Sequence, residues 1–314
     1  MEIIAIDIGY GDVKVLANGK EFKFPNAICL KGVEIEKYKL LSDNVPPKNE
    51  YLYNGKKYLV DKKINNAMNT RNIQYLLSYA PLLVYHALKL ANIDLNDGKK
   101  RTLVTGLSVF NFKYTNDFGK ILNKFYINDE LVDFEGRVKI RPQGRGIFDS
   151  YQGNKKGLVY VVDVGYNTLD ILAYKDGEPI PSDCFANEQG ANKIIQDMKN
   201  ILENKFDEIN FTEQKAKEIF NSKKIEIAGE EISFADEIET LKSNYTEYLI
   251  NLLSSRKDIL YEANLVIFSG GGAYFLDKEL IKELVKTADF SELPYEFANV
   301  RGYYEYYNTN NAKK

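Results

Sequence analysis

The chain opens on a dense apolar run, Ile3-Ile4-Ala5-Ile6-Asp7-Ile8, interrupted by one acid and ended by Gly9-Tyr10-Gly11. A short apolar run bounded by glycine reads as a buried strand. Asp12 to Ala17 carries Val13, Val15 and Leu16 without a helix cap before it, and reads as a second strand. Asn18-Gly19 follows, a dipeptide suited to tight hairpins because both central residues take φ > 0. The whole pattern then recurs. Tyr160-Val161-Val162-Asp163-Val164-Gly165-Tyr166 repeats Ile4 to Tyr10 at an offset of 156, the step from Asp7 to Asp163. The match runs without a gap through Leu16-Ala17 and Leu172-Ala173, and Asp176-Gly177 supplies the second tight turn. Each copy predicts strand, glycine turn, strand, tight turn, strand.

Between the copies, the spread of Leu and Tyr predicts a helix over Asn72 to Ala91 despite Pro81, and Leu103 to Val109 reads as a strand. Asn116 to Phe125 is amphipathic at helical spacing, and Tyr126 to Arg141 reads as two short strands joined at Glu135-Gly136. After the second copy, helices are expected over Asn187 to Phe206 and Thr212 to Asn221, and a hairpin over Glu226 to Phe234. A long helix follows over Ser233 to Leu260, then a buried strand over Asn264 to Ser269 running into Gly270-Gly271-Gly272. Leu276 to Thr287 is expected to be helical, and Val300 to Tyr307 reads as a Tyr-rich terminal helix. Two α/β lobes, each opening with the same hairpin, account for this order. Residues 1–155 with 296–314 form the first, and residues 156–295 the second.

Composition narrows the class. The 314 residues are 44% hydrophobic and 28% charged, with a net charge of −3, so direct binding of nucleic acid is not expected. The most apolar stretch, Tyr79 to Leu90, is too short for a membrane span and holds Pro81, His86 and Lys89. Met1 leads directly into the first strand, with no leader or amphipathic membrane helix expected, and the free thiols Cys29 and Cys184 suit a reducing, cytoplasmic setting. His86 is the single histidine, which excludes a Ser/His/Asp triad and a multi-histidine metal site.

The chemistry centres on the two turns. Phosphates need backbone N–H donors that approach closely, and glycine removes the blocking Cβ. Gly9, Tyr10, Gly11 and Asp12 in the first turn, and Gly165, Tyr166, Asn167 and Thr168 in the second, suit that task. Gly9-Tyr10-Gly11 is not a dinucleotide fingerprint, because that motif requires a helix where a strand follows here. Asp7 and Asp163, which close the strands before the turns, are candidate ligands for Mg²⁺ through its water shell, and Lys14 is a candidate cation beside phosphate. Asp170 sits in the second hairpin where Lys14 sits in the first.

Together these segments resemble the actin superfamily. Asp7-Ile8-Gly9-Tyr10-Gly11-Asp12-Val13-Lys14 looks like its first phosphate motif, Asp163 to Asp170 its second, and Ser269-Gly270-Gly271-Gly272-Ala273 its adenosine motif. Val104-Thr105-Gly106-Leu107-Ser108 and Ala298-Asn299-Val300-Arg301-Gly302-Tyr303 are similar to segments of the plasmid-segregation actins of the ParM/StbA type, although Ser108 and Asn167 depart from the usual residues. The resemblance implies an actin-like, ribonuclease-H-like duplicated, two-lobe α/β ATPase fold. It assigns Gln143 and Asp163 to positioning the attacking water, and Asp7, Asp163 and Asp170 to the metal. It also matches Gly190 to an inter-lobe hinge and places Lys217 along the adenosine, where a solvated helix charge is the alternative.

A polymerising ATPase is the function implied, with ATP (or GTP) and Mg²⁺ bound between the lobes and head-to-tail filaments formed by self-association. An adaptor on centromere-like DNA would be the cargo. Tyr303, Tyr304, Tyr306 and Tyr307 would then serve either a filament contact or the core. A small-molecule kinase of the same superfamily and a chromosomal cytoskeletal protein are the alternatives.

Overall fold

The computed structural model describes residues 2–30, 49–60, 72–207, 209–255 and 259–312. The chain divides into two compact units, residues 1–151 with 297–314 and residues 152–296.

The first unit is built on a five-stranded sheet. Its strands β1 (Glu2–Ile8), β2 (Asp12–Ala17) and β3 (Lys20–Pro25) form an antiparallel meander. The Asn18-Gly19 turn has φ of 51° and 70°, the left-handed pair that the dipeptide predicts. On the other side of β1, β7 (Arg101–Leu107) and β10 (Val138–Pro142) run parallel to it, giving the order β10-β7-β1-β2-β3. β1 is central and covered on both faces, which is why it is almost continuously apolar. Ile4, Ile6 and Ile8 face helix α1 (Ile73–Leu90) and helix α2 (Thr115–Asn123). Ile3 and Ala5 face the terminal helix α9 (Ala298–Ala312) through Val300 and Tyr303. Each such fully buried aliphatic side chain contributes about 2 kcal/mol.

Smaller elements flank this sheet. β4 (Ile28–Leu30), β5 (Glu50–Tyr53) and β6 (Lys56–Val60) form one three-stranded sheet, and β8 (Lys124–Ile127) pairs with β9 (Glu130–Asp133). Residues 124–142 thus hold three strands where the pattern suggested two. The additional hairpin turns at Asn128-Asp129, both with positive φ, and has no glycine to announce it. α1 is capped by Asn72, whose side chain accepts the Gln74 N–H, and continues through Pro81 with that ring buried. His86 on α1 is fully buried and shares a 2.7 Å hydrogen bond with the Tyr51 hydroxyl.

The second unit repeats the layout. β11 (Leu158–Val164) pairs antiparallel with β12 (Leu169–Lys175) and parallel with β17 (Leu265–Ser269), as β1 does with β2 and β7. The third strand of this copy is cut to β13 (Glu178–Pro179), since Pro179 and Pro181 cannot donate to a ladder. β14 (Phe185–Asn187) resumes pairing with β12, so helix α4 (Asn192–Lys205) begins later than the periodicity suggests. Helices α5 (Glu213–Ser222) and α6 (Ala235–Ser254) pack with α4 over the same face of the sheet. The hairpin β15 (Lys224–Ile227) and β16 (Glu230–Ser233) lies between them in sequence. After the short helix α7 (Ile259–Glu262), helix α8 (Lys278–Leu284) stops short of β18 (Ala288–Phe290), which adds to β17 at the sheet edge. Among the described residues no helix is long and apolar enough to cross a membrane.

Candidate functional site

In the first unit the terminal helix α9 covers Ile3, Ala5 and Leu16 but leaves a polar row at the far end of the same sheet face. Asp7, Lys14 and Lys23 stand directly opposite one another across β1, β2 and β3. Asp7 is 5% exposed, with the Lys14 ammonium 3.8 Å from one carboxylate oxygen. The other oxygen accepts a 2.6 Å hydrogen bond from Gln143 Nε2. An ionised carboxylate only accepts, so Gln143 must present its amino group to Asp7, which leaves its Oε1 as the acceptor.

Gln143 is held from behind. Its backbone N–H donates to Leu107 O at the end of β7, and the next N–H, Gly144, donates to Asn299 Oδ1 on α9 at 2.9 Å. Gly144 opens the short helix α3 (Arg145–Ser150) with φ of 87°, a conformation that excludes most side chains. α3 and α9 touch backbone to backbone. A Cβ on Gly302 would fall 1.9 Å from Gly146 O, and one on Gly146 would fall 2.2 Å from Asn299 O. A Cβ on Gly106 would meet the Tyr303 hydroxyl at 2.1 Å. The segments Val104 to Ser108 and Ala298 to Tyr303 therefore act as one support beneath Gln143. Of the terminal tyrosines, Tyr303 is core, while Tyr306 is largely exposed and lies under the Arg141 guanidinium at 3.8 Å.

The first turn, with Gly9, Tyr10, Gly11 and Asp12 partly buried, is fastened by Asn26. The Asn26 side chain donates to Gly9 O at 2.7 Å, and its backbone N–H donates to Gly11 O at 3.0 Å. The Tyr75 hydroxyl of α1 donates to Asn26 Oδ1 at 2.8 Å. Burial pushes the Tyr75 hydroxyl well above its ordinary pKa, so it stays a donor.

The second turn is fastened by the start of α4. The carbonyls of Gly165, Tyr166 and Asn167 accept from the N–H groups of Ala191, Asn192 and Gly190 at 3.0, 2.7 and 3.4 Å. Gly190 lies so close that a Cβ would sit 2.7 Å from Gly165 O, Tyr166 O and Thr168 N. Tyr166 donates to Glu213 Oε1 at 2.5 Å, Gln196 donates to the other Glu213 oxygen, and the Lys217 ammonium sits 4.6 Å from the Tyr166 ring centre. Lys217 is thus tied to the second turn through its tyrosine. In both units, the carbonyls of the turn point back into the protein.

Asp163 and Asp170 face each other across β11 and β12, in the register of Asp7 and Lys14, and both are buried. Two carboxylates opposite one another favour a shared cation. Among the described residues no group of three or more His, Cys, Asp or Glu side chains is placed to hold a metal. That donor set fits Mg²⁺, which keeps waters and substrate oxygens and needs only one or two protein carboxylates. Close packing accounts for Gly270 and Gly272, and at Gly270 so does a φ of 89°. Their Cβ atoms would meet Asp163 Oδ1 at 2.4 Å and Val164 Cγ1 at 2.6 Å, and the Gly272 N–H donates to Val164 O. Gly271 is exposed, with its nearest neighbour, Glu296 Cβ, at 3.8 Å, and Ala273 is buried behind it. Beside it the Tyr274 hydroxyl is pushed up to about 12 by burial and by its hydrogen bond to Glu296.

Asn26, Tyr75 and Glu213 are supporting residues that pattern reasoning does not single out, and Asn299 stands out only as part of the Ala298 to Tyr303 segment. Glu213 carries a usable signal, since it stands four positions before Lys217 on one helix face. The others act across chain separations of 17, 49 and 155 residues.

Residues 5–146 match the sequence family described as the N-terminal domain of actin-like proteins. Residues 161–282 match the C-terminal region of the archaeal actin homologue MreB-like family. None of the curated proteins matches this chain. Among solved structures, a ParM from a 15-stranded filament of Clostridium botulinum is 21% identical, with a TM-score of 0.78 over 98% of this chain and 99% of that one. The archaeal actin homologue Ta0583 is 20% identical, with a TM-score of 0.80 over 98% of this chain and 100% of that one. Its complex with ADP, at the same identity and coverage, has a TM-score of 0.73.

Proposed function

The chain belongs to the actin-like proteins and has their fold, and from that premise we propose that it binds Mg-ATP, hydrolyses it and polymerises into filaments. One observation carries the reading. Both hairpins have the same register, and both turns have their carbonyls tied back into the protein. A turn whose carbonyls are engaged behind it keeps them away from an anionic polyphosphate, although in the second turn the Gly165 N–H is itself donated to Thr168 O at 2.8 Å. The repeat makes two such turns, one in each unit.

In this reading Gly9, Tyr10, Gly11 and Asp12, with Gly165, Tyr166, Asn167 and Thr168, surround the phosphates. Lys14 offsets their charge. Asp7 in the first unit, and Asp163 and Asp170 in the second, would be the metal's carboxylates, and the metal would supply charge neutralisation for phosphate oxygens. Gln143 Oε1 accepts a hydrogen bond from the attacking water and orients it, and Asp163 accepts the proton. Gly190, Lys217, Gly270, Gly271, Gly272 and Ala273 form the nucleoside side, Gly271 offering the open approach. ATP and GTP both fit this account. The likeness to a chain solved within a filament supports head-to-tail self-association, and by the same likeness an adaptor on centromere-like DNA is the proposed cargo of a cytoplasmic filament.

The test follows light scattering and phosphate release together after Mg-ATP is added. Scattering that needs nucleotide and decays as phosphate appears is the expected result. In Gln143→Ala, phosphate release falls roughly 100-fold and scattering persists. Phosphate release without scattering at any protein concentration would favour a small-molecule kinase of the same fold. Absence of both signals would refute the proposal.

A further inference from the structure

We infer that Asn26 is the positioning residue of the first phosphate turn, and that Tyr75 holds it in place. The inference rests on the nucleotide reading above and assigns a role to a residue outside the strand–turn–strand motif. A phosphate turn has two opposed sets of groups. Its N–H donors attract the anion, and its carbonyl oxygens, if they swing toward the same side, repel it. Something must hold the carbonyls away. In the second turn the N–H groups of residues 190–192 do this, taking the carbonyls of Gly165, Tyr166 and Asn167. The first hairpin is followed by a strand, and Asn26 does the equivalent work there. Its side-chain amide takes Gly9 O and its backbone N–H takes Gly11 O, so one residue restrains carbonyls on both sides of Tyr10.

The Gly9 carbonyl only accepts, so Asn26 must present Nδ2 to the turn, and the Tyr75 hydroxyl then donates to the Oδ1 on the other side. Asn26 is 8% exposed and Tyr75 is 5% exposed, so water does not substitute readily for either bond. Pro25, immediately before Asn26, lacks an N–H and ends β3 at that point, which frees the following residue to turn inward.

Asn26→Asp tests this with almost no change in size. The variant keeps the acceptor for Tyr75 and the backbone N–H for Gly11, but replaces the donor to Gly9 O with a carboxylate oxygen. ATP, ADP, AMP and adenosine are titrated against the full chain with Mg²⁺ present. The expected result is an affinity loss of about tenfold for ATP and ADP, with AMP and adenosine within about twofold of the parent. Tyr75→Phe is expected to give a smaller loss of the same kind, and Asn26→Gln, which retains a donor, to recover part of it. Equal losses for all four ligands, or an unchanged ATP affinity, would overturn the assignment. Amide exchange over residues 24–28 tests the clamp without nucleotide, because it reads the Asn26 N–H held by Gly11 O. Faster exchange there in Asn26→Asp supports the clamp, and unchanged exchange overturns it. A parent chain that binds no nucleotide but shows the exchange effect would sink the nucleotide reading and leave the clamp standing.

Discussion

Replacing Gly302 with alanine sets two rules of helix stability against each other. Gly302 lies inside α9, where alanine is favoured over glycine by about 1 kcal/mol in backbone terms. Its new Cβ would sit 1.9 Å from Gly146 O, a carbonyl on α3. Ordinary carbon–oxygen contact needs roughly 3.2 Å or more, so the helices must part by about 1.3 Å. Overpacking of this kind costs about 2 kcal/mol. The same separation strains the bond from Gly144 N–H to Asn299, worth about 1 kcal/mol when intact. The balance is a destabilisation of about 2 kcal/mol, or a fall in unfolding midpoint of roughly 4–8 °C for a unit of this size. Tyrosine fluorescence is the natural probe, because the chain has 23 tyrosines and no tryptophan. Phosphate release should fall as well, since Gly144 adjoins Gln143. A midpoint that rises, as helix propensity alone demands, would refute the close crossing and the support it gives to Gln143.

Two further outcomes are expected. Asp170→Asn leaves Asp163 without its facing carboxylate, so the Mg²⁺ concentration for half-maximal phosphate release should rise about tenfold; an unchanged Mg²⁺ titration would remove Asp170 from the metal set. Hydrogen bonds from Lys89 and Tyr85 hold the Glu130 carboxyl below its usual value, so its stabilising effect is complete above the unfolded carboxyl value and is lost as pH falls through the lower folded one. Glu130→Gln should therefore flatten the acid limb of a stability profile measured by urea unfolding, and a limb of unaltered slope would show that the carboxylate contributes nothing to it.

Much of the fold is legible in the linear pattern because the features concerned are local. β1 and β11 announce themselves as apolar runs, and the turns at Asn18-Gly19 and Asp176-Gly177 follow from dipeptide chemistry. Thr212 caps α5 by accepting the Lys215 N–H, within a residue of where periodicity starts that helix. The misreadings have physical causes. Asn128-Asp129 turns a hairpin without glycine, and Phe185–Asn187 pairs with β12, so the helix expected from Asn187 starts later. Ala288–Phe290, for which the pattern predicts nothing, becomes a strand by pairing with the edge of β17.

The candidate site divides in the same way. The sequence by itself determined that two like hairpins exist, that an acid precedes each turn, and that Lys14 in one is replaced by Asp170 in the other. Such facts need only alignment of the chain with itself, and strand alternation then places each pair on a common face. Tertiary structure decided the rest: that Gln143 donates to Asp7, that Asn299 holds Gly144, that Asn26 ties back one turn while residues 190–192 tie back the other, and that two of three consecutive glycines serve packing. A hydrogen bond depends on a few tenths of an ångström between groups up to 155 residues apart, and that distance is set by how the elements pack, which local pattern does not encode.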